Sequence, residues 1–528
     1  LKLPRDWRPA EIVMASIAVA VTTWVLAAPW FAATYPPIND LPMLASLTSI
    51  MRHYGDPAWH FREQFRPQFL QVPTLTTYLV GALFALVVPI ATAVKAASFV
   101  QQAMLPVGLA VYAHGLKKSP YLGIAAGGFV WATLTQWGFL SYVGAIGLML
   151  LGLGLTHLVL DAPSRRRMGA LGVTALLLLL THVSRFPFFC AAVALTTLCM
   201  WKVTRRWREV AIPIVPSVLV FALWWFVRPA ALEGAITMGW EVTKRLRHFD
   251  SDVFEFGRGN PTYGKHFLET LLAVAAYCLA VDVWKARRDE RRWLERAEAF
   301  RLASALLVSL LFVGLYFSMP ETIGAWWFVY DREMTAALLC ALVLMPRLPE
   351  GWKLRTPAVA GLLLAIVPPM LAVRAWYRTF EDGTADFRRV IAQIPPAPRL
   401  GYMVWDNGDF ARYVRPLLHL PAWVQAEKGG WLSFHFATWD ATPFAFRHDA
   451  GADVAPPTPK RFEWTPDKFD VKERGRFFDW FLVHSHDSRD AVFAVDPTIH
   501  LVVHDGNWWI YHREAAPPPP EPPPVTAP

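Results

Sequence analysis

The sequence predicts a polytopic α-helical membrane protein of about 11–13 transmembrane helices, ending in a small extracytoplasmic α/β domain. Three observations predict the membrane class. The run IVMASIAVAVTTWVLAAPWFAA, from Ile12 to Ala33, carries no charge and exceeds the ~20 apolar residues that cross a bilayer. The 528-residue chain is 54% hydrophobic and holds 25 Trp and 34 Phe, with a mean hydropathy of +0.30, outside the range of an ordinary soluble enzyme. Its Lys and Arg gather in short clusters between apolar runs. The net charge of +9 therefore reads as a set of topology determinants, and no nucleic-acid partner is expected.

The first run follows Lys2, Arg5 and Arg8, as a signal peptide would. It is longer than an ordinary signal core and no persuasive cleavage site precedes the next loop, so it reads as a retained anchor. Further spans are expected at Leu75 to Ala93, Ala96 to His114, Tyr121 to Phe139, Ser141 to Leu160, Met168 to Ser184, Phe186 to Trp201 and Val210 to Val227. The remainder are His266 to Trp284, Phe300 to Ser318, Met334 to Met345 and Pro357 to Val373. The basic stretches SRRRMG (164–169), KVTRRWRE (202–209), KARRDERRWLER (285–296) and PRLPEGWKLR (346–355) should share the cytoplasmic side. Alternate crossings from residue 164 onward allow this, but five crossings before Arg165 would place SRRRMG outside. One early segment must fail to cross, and 121–160 is the suspect, because TQWGFLSY interrupts its apolar pattern.

The transmembrane region then occupies 1–373, with an outer loop at 34–74. In that loop DLPMLASLTSIMRHYG repeats Leu41, Leu44, Leu47 and Met51 at helical spacing, and DPAWHFREQFRPQFLQVP follows. Both predict helices lying along the membrane interface. Residues 374–514 are long enough for one small domain. Its end alternates β-prone runs, WFLVHS, AVFAVDP, IHLVVHD and NWWIYHR, with Asp505-Gly506 as a hairpin signal. Residues 515–528, APPPPEPPPVTAP after Ala515, form an extended Pro-rich tail without a core.

Cys190, Cys199, Cys278 and Cys340 all lie in or beside apolar runs, which supports neither a disulfide framework nor a CxxC metal site. His53, Asp56, His60 and Glu63 share the first loop and are cavity candidates. Their intervals of 3, 4 and 3 across a Gly-Asp-Pro turn match no known ligand spacing, so a divalent metal is not favoured and no metal ligands or cofactor are assigned. Near the outer ends of spans, Arg185, Arg258 and Arg332 are placed to bind a lipid phosphate, or alternatively to snorkel or pair with neighbours such as Asp331. His182, one turn before Arg185, and Asp331 join the cavity candidates. The acidic set Asp250, Asp252 and Glu255 reads as a solvated loop face, and HSHD (484–487) lacks an accompanying nucleophile motif.

A membrane anchor, an outer first loop with an acidic residue close behind the first span, many further spans and a C-terminal outer domain together resemble the GT-C superfamily of membrane glycosyltransferases. The stretches DREMTAALLCALVLMPRLP (331–349) and RFFDWFLVHS with IHLVVHDGNWWIYHR add local likeness. The resemblance covers the whole chain at the level of architecture. It implies a bacterial inner-membrane, multi-pass location with the C-terminal domain extracytoplasmic. It also implies a polyprenyl-phosphate-linked sugar as donor and a glycan, lipid or protein as acceptor.

In that superfamily the acidic residue of the first outer loop acts as catalytic base, and the matching position is Asp40 in YPPINDLP. The chain departs from the better-defined branches in having Asn39-Asp40 rather than paired acids, and no DxD. Asp40 has a second reading as the N-cap of the helix that starts at LPMLAS, with Pro42 in its first turn. Two other functions stay open: a non-catalytic glycolipid-binding or envelope-assembly protein, and a lipid or solute transporter. The transporter would favour paired charges deep inside spans and an internal repeat.

Overall fold

The structure, a computed structural model, describes residues 9–228, 235–239, 241–254, 262–287, 296–324, 326–411 and 414–514. Arg258, Glu255 and the Pro-rich tail lie outside the described residues. The helices are α1 (Pro9–Ala27), α2 (Leu41–His53), α3 (Thr76–Phe84), α4 (Ile90–Gly115), α5 (Thr133–Trp137), α6 (Leu140–Asp161), α7 (Arg165–Thr181) and α8 (Arg185–Met200). They continue with α9 (Trp207–Val227), α10 (Val242–Phe254), α11 (Thr262–Ala286), α12 (Arg296–Ser318), α13 (Asp331–Ala341), α14 (Trp352–Gly383), α15 (Ala385–Ala392) and α16 (Ala422–Lys428). Among the described residues seven helices are long and apolar enough to cross a membrane, and α8 is a shorter apolar helix.

The polytopic class is as the hydropathy predicts, and side-chain contacts trace its path. At one end of the bundle Lys117 and Arg301 both reach the Asp161 carboxylate at 2.7 Å. Arg347 pairs with Glu298 at 2.7 Å, and Arg355 approaches Glu11 at the start of α1 at 3.9 Å. The opposite end holds Asp40, whose amide donates to Trp137 O at 3.3 Å, and Lys95, whose ammonium donates to Ala33 O at 2.6 Å. Helix α4 therefore descends from the Asp40 end to the basic end.

The return path is the 3-10 segment Pro120–Phe129 followed by α5. Gly123 packs so closely on α4 that a Cβ would lie 2.5 Å from Pro106 O, Gln102 Nε2 donates to Val130 O at 3.0 Å, and the path finishes beside Asp40. Residues 121–139 thus run the length of the bundle, and the segment that does not is Leu75 to Ala93. Its helix α3 has only nine residues and stays in the Asp40 half, with Leu75 N donating to Leu180 O at 2.7 Å and Thr76 Oγ1 to Thr181 Oγ1 at 2.8 Å. The chain then turns at 85–89 and enters α4 after Pro89. The early paths are then α1, α4, the 3-10 segment with α5, and α6, so SRRRMG joins the other described basic stretches at one end. The correction follows from what hydropathy measures: it reads apolarity and not path, and this short helix and its turn, with Leu79, Leu83, Leu86 and Val87 exposed, are as apolar as a span.

Close packing binds α4 to α6 through small residues. A Cβ on Gly108 would lie 2.1 Å from Gly147 O, and one on Gly115 2.6 Å from Gly154 O, the approach that small residues permit between membrane helices.

In the C-terminal region α14 continues past Val373 to Gly383. The strands of the chain are β1 (Phe65–Pro67), β2 (Ile236–Thr237), β3 (Thr322–Ile323), β4 (Arg399–Val404), β5 (Trp431–Leu432), β6 (Phe444–Phe446), β7 (Trp480–His484), β8 (Ile499–Asp505) and β9 (Trp508–Arg513). Five form a sheet in the order β5-β4-β7-β9-β8, parallel at β5-β4-β7 and antiparallel beyond. The β8–β9 hairpin turns at Gly506 with φ +59, as its Asp-Gly pair predicts. AVFAVDP forms a helical turn, Asp490–Phe493, rather than a strand.

The first long loop also differs from a pair of surface helices. Helix α2 forms where predicted, but most of its side chains are buried, Ser46 and Ser49 included. It packs beneath the C-terminal region, with Ser46 Oγ donating to Gln425 Oε1 at 2.6 Å. The following stretch becomes two short turns and β1, which pairs antiparallel with β6. A backbone ladder ties the loop to the C-terminal region, and Leu41, Leu47, Ile50, Phe61 and Phe65 are buried by protein, while Phe69 and Leu70 stay exposed.

Candidate active site

The turn before α2 places Asp40. Pro36 and Pro37 keep the chain extended out of the first span, and the amides of Asn39 and Asp40 donate to Gln136 O (3.0 Å) and Trp137 O (3.3 Å) at the head of the 121–139 path. Gly138, at φ +93, lies against this backbone, where a Cβ would stand 2.7 Å from Asp40 Cβ. Asp40 occupies the N-cap position, yet its side chain makes no cap hydrogen bond. Its carboxylate instead accepts from Asn39 Nδ2 at 2.6 Å and lies 3.8 Å from His419 Nε2. Asn39 is itself held from the C-terminal region, its Oδ1 accepting from Arg415 N at 3.2 Å.

The Asp40 side chain keeps 19% of its exposure. Burial pushes its pKa up to about 7, against the lowering effects of the Asn39 hydrogen bond and the Arg332 charge. His419 is pushed down to about 3 by burial and by neighbouring His435, so at neutral pH it faces Asp40 as an uncharged imidazole. Burial also takes His435 down to about 3; its Nδ1 accepts from Ala437 N at 3.0 Å, which leaves Nε2 to donate to Ser46 Oγ at 3.2 Å.

Arg332 connects Asp40 to a cavity. On the first turn of α13, its guanidinium stacks on Phe139 at 3.9 Å and donates to Trp327 O at 2.6 Å, while its Nε is buried without a hydrogen-bond partner. It lines a cavity of about 380 Å³ with Tyr142, Glu333, Phe188, Trp224 and Trp326. Aromatic walls with two cationic heads, Arg332 and Arg228, suit an amphiphile carrying an anionic group. A larger cavity, about 560 Å³, opens beside α1 and α4 at Lys95 and Glu381; Asp40 lines neither, and Arg332, whose charge acts on Asp40, lines only the smaller, so the site is placed there.

Arg185 is fully buried and turned inward. It donates to Glu333 and, at 2.8 Å, to Tyr142 OH, which donates in turn to Glu333 Oε1 at 2.8 Å. Phe312 covers the guanidinium at 4.4 Å. Arg185 thus pairs with Glu333 behind the cavity wall, its Nε and Nη2 buried without hydrogen-bond partners, whereas Arg332 lines the cavity. His182 meets Tyr142 edge-on at 5.0 Å and contacts Ser184 Oγ at 2.8 Å, so it supports the same wall. Asp331 is buried at the start of α13.

The remaining first-loop candidates find local partners. His53 stacks flat on Trp59 at 3.8 Å, Asp56 caps a short turn by accepting from Ala58 N at 3.0 Å, and His60 contacts Glu63 at 2.6 Å on the surface. In the C-terminal region His486 pairs with Asp409 at 2.8 Å. Among the described residues no three His, Cys, Asp or Glu side chains converge as a metal site. Sequence reading missed Glu333, Tyr142 and His419. The only local signal was Glu333 beside Arg332; nothing in the sequence ties Tyr142 or His419 to Asp40 or Arg185.

No protein-family model matches the chain, and no curated protein matches it. Among solved structures it is similar to ArnT from Cupriavidus metallidurans. Against the apo form the TM-score is 0.55 at 12% identity, over 95% of this chain and 97% of that one. Against the form bound to undecaprenyl phosphate it is 0.51 at 14% identity, over 96% and 98%. The chain has the fold of these ArnT structures.

Proposed function

We propose that the protein transfers a sugar from a polyprenyl-phosphate carrier to a glycan, lipid or protein acceptor at the extracytoplasmic face of a bacterial inner membrane. The observation that carries this reading is Asp40: an uncapped, largely buried carboxylate at the end of the first span, within electrostatic reach of Arg332, which lines the aromatic cavity together with Arg228. The likeness to an ArnT structure that holds undecaprenyl phosphate supports the donor class. The cavity's Trp and Phe walls suit the first isoprenoid units and the sugar.

In this reading Asp40 takes the proton of the acceptor hydroxyl as its oxygen attacks the anomeric carbon. The bond from that carbon to the phosphate oxygen breaks, and its electron pair leaves with the phosphate. Arg332 stabilises the charge that gathers there, a role for which its unpartnered Nε is available. Arg185 holds Glu333 and Tyr142 in place as a positioning residue.

The test is transfer of radiolabel from polyprenyl-phosphate sugars into membrane extracts by purified wild type and Asp40→Asn, after both are shown to fold equally. Transfer by the wild type alone is expected. Full transfer by the variant removes Asp40 from its role, and tight donor binding without transfer by either moves the function to glycolipid binding.

A further inference from the structure

The sequence offers a single acid, Asp40, where paired acids are expected, and the fold brings a second one. Glu463 sits in the 3-10 turn Phe462–Trp464 of the C-terminal region, is 9% exposed, and its Oε2 has no hydrogen-bond partner. An unpartnered buried carboxyl oxygen is costly unless a ligand uses it. The turn is clamped at the site: Arg461, at φ +63, stacks on Trp327 at 3.9 Å, the residue whose carbonyl holds Arg332.

Two more polar atoms of the C-terminal region are buried without partners, Tyr402 OH and His419 Nδ1. His419 touches Asp40, and Tyr402 feels the charge of Glu463. The unused groups are a carboxyl, a hydroxyl and an imidazole, the set that recognises a polyhydroxyl ligand.

We infer that Glu463 is an acceptor-binding residue, the second carboxyl group of the site, which with Tyr402 grips a hydroxyl-bearing acceptor against Asp40. This rests on the proposed transfer reaction. Its electrostatics agree with the placement. Glu463 is raised to about 7, first by burial and further by the Asp40 charge, against lowering by its backbone hydrogen bond, Trp464 and Arg461. Around Asp40 the facing groups are Asn39, Arg332, His419, Tyr78 and Glu463. When Asp40 is ionised, Glu463 therefore tends to keep its proton and can donate it to an acceptor oxygen.

Two measurements separate this inference from the reading beneath it. In the first, a hydrophobic carbodiimide, which modifies protonated carboxyls, labels Glu463 across a pH series in wild type and Asp40→Asn, read by mass spectrometry. The midpoint of Glu463 labelling should move to lower pH in the variant; an unmoved midpoint overturns the pair. In the second, Glu463→Gln should raise the acceptor KM about tenfold, the worth of one hydrogen bond to an ionisable group, while the donor KM stays within about twofold. Glu463→Asp should recover part of the loss. An unchanged acceptor KM overturns the acceptor role. If Glu463→Gln fails to fold, Tyr402→Phe gives the same split. Should the wild type transfer nothing, the proposed reaction fails while the labelling still decides the pair.

Discussion

The carboxylate of Asp40 accepts from the amide of Asn39 at 2.6 Å and leaves the first turn of its own helix uncapped. An aspartate at a helix start ordinarily stabilises it by binding the free amides there. Here that stabilisation is forgone, and the oxygen atoms are kept at the end of the bundle beside Arg332 and His419.

Asp40→Asn should therefore cost activity and not stability. Removal of a general base is worth ~100-fold to 10,000-fold in rate, and transfer should fall by at least ~100-fold; because Asn caps as well as Asp, the unused cap is read from Asp40→Ala, whose melting temperature in detergent should move by no more than about 2 °C. A larger fall in Asp40→Ala would restore the capping role.

The pH profile carries the same assignment. Burial raises Asp40 to about 7, and a base works only when deprotonated, so kcat/KM should rise with pH through about 7 rather than through the ordinary carboxylate range. Asn39→Ala removes the hydrogen bond that lowers Asp40 and should move this limb to higher pH. A limb that stays in place in Asn39→Ala would dissociate the profile from Asp40.

Gly138→Ala tests the backbone that seats Asp40. At φ +93 an L-residue is strained, and the added Cβ would stand 2.7 Å from Asp40 Cβ. Destabilisation of more than about 1 kcal/mol should accompany a fall in kcat larger than the change in donor KM, measured by thermal unfolding and steady-state kinetics.

Arg332→Ala should raise the donor KM at least about tenfold, the loss of one charge-assisted contact to a phosphate. Arg332→Lys should recover only part, because an ammonium cannot reproduce the planar stacking on Phe139. Equal donor KM in wild type and Arg332→Ala would place the phosphate elsewhere.

Glu333→Ala leaves the Arg185 guanidinium buried and unpaired, which costs about 3–5 kcal/mol. The double replacement Arg185→Leu with Glu333→Met should regain most of that stability in a thermal unfolding series, since the pair is fully enclosed. A double variant no more stable than the single one would show that Tyr142 and the aromatic cover, not the ion pair, set the cost.

Several features are legible from residue order alone. The uncharged first run, Asp40 behind it, the helix at LPMLAS and the Asp505-Gly506 hairpin follow from local periodicity and turn chemistry, which act over a few residues. The basic stretches predict their common end of the bundle because a charge inside an apolar span is costly. That constraint also revealed an early miscounted crossing, although it did not identify which.

The identity of that segment was decided by tertiary structure. Leu75 to Ala93 is as apolar as a span, with Leu79, Leu83, Leu86 and Val87 exposed, but its helix ends after nine residues beside α4 and α7, and the glycine-rich path 121–139 crosses as a 3-10 segment packed on α4. The site divides in the same way. The sequence determined that an acid stands at the end of the first span and that arginines stand at the ends of later ones. Which arginine faces the cavity depended on Glu333, 148 residues from Arg185, taking that one inward. His419 comes within 3.8 Å of Asp40, and Glu463 comes near enough to feel its charge, because β1 pairs with β6 and α2 packs beneath the C-terminal region. Hydropathy and helix capping are sums over neighbours in the chain, whereas burial, ion pairing and the approach of two carboxyls depend on neighbours in space.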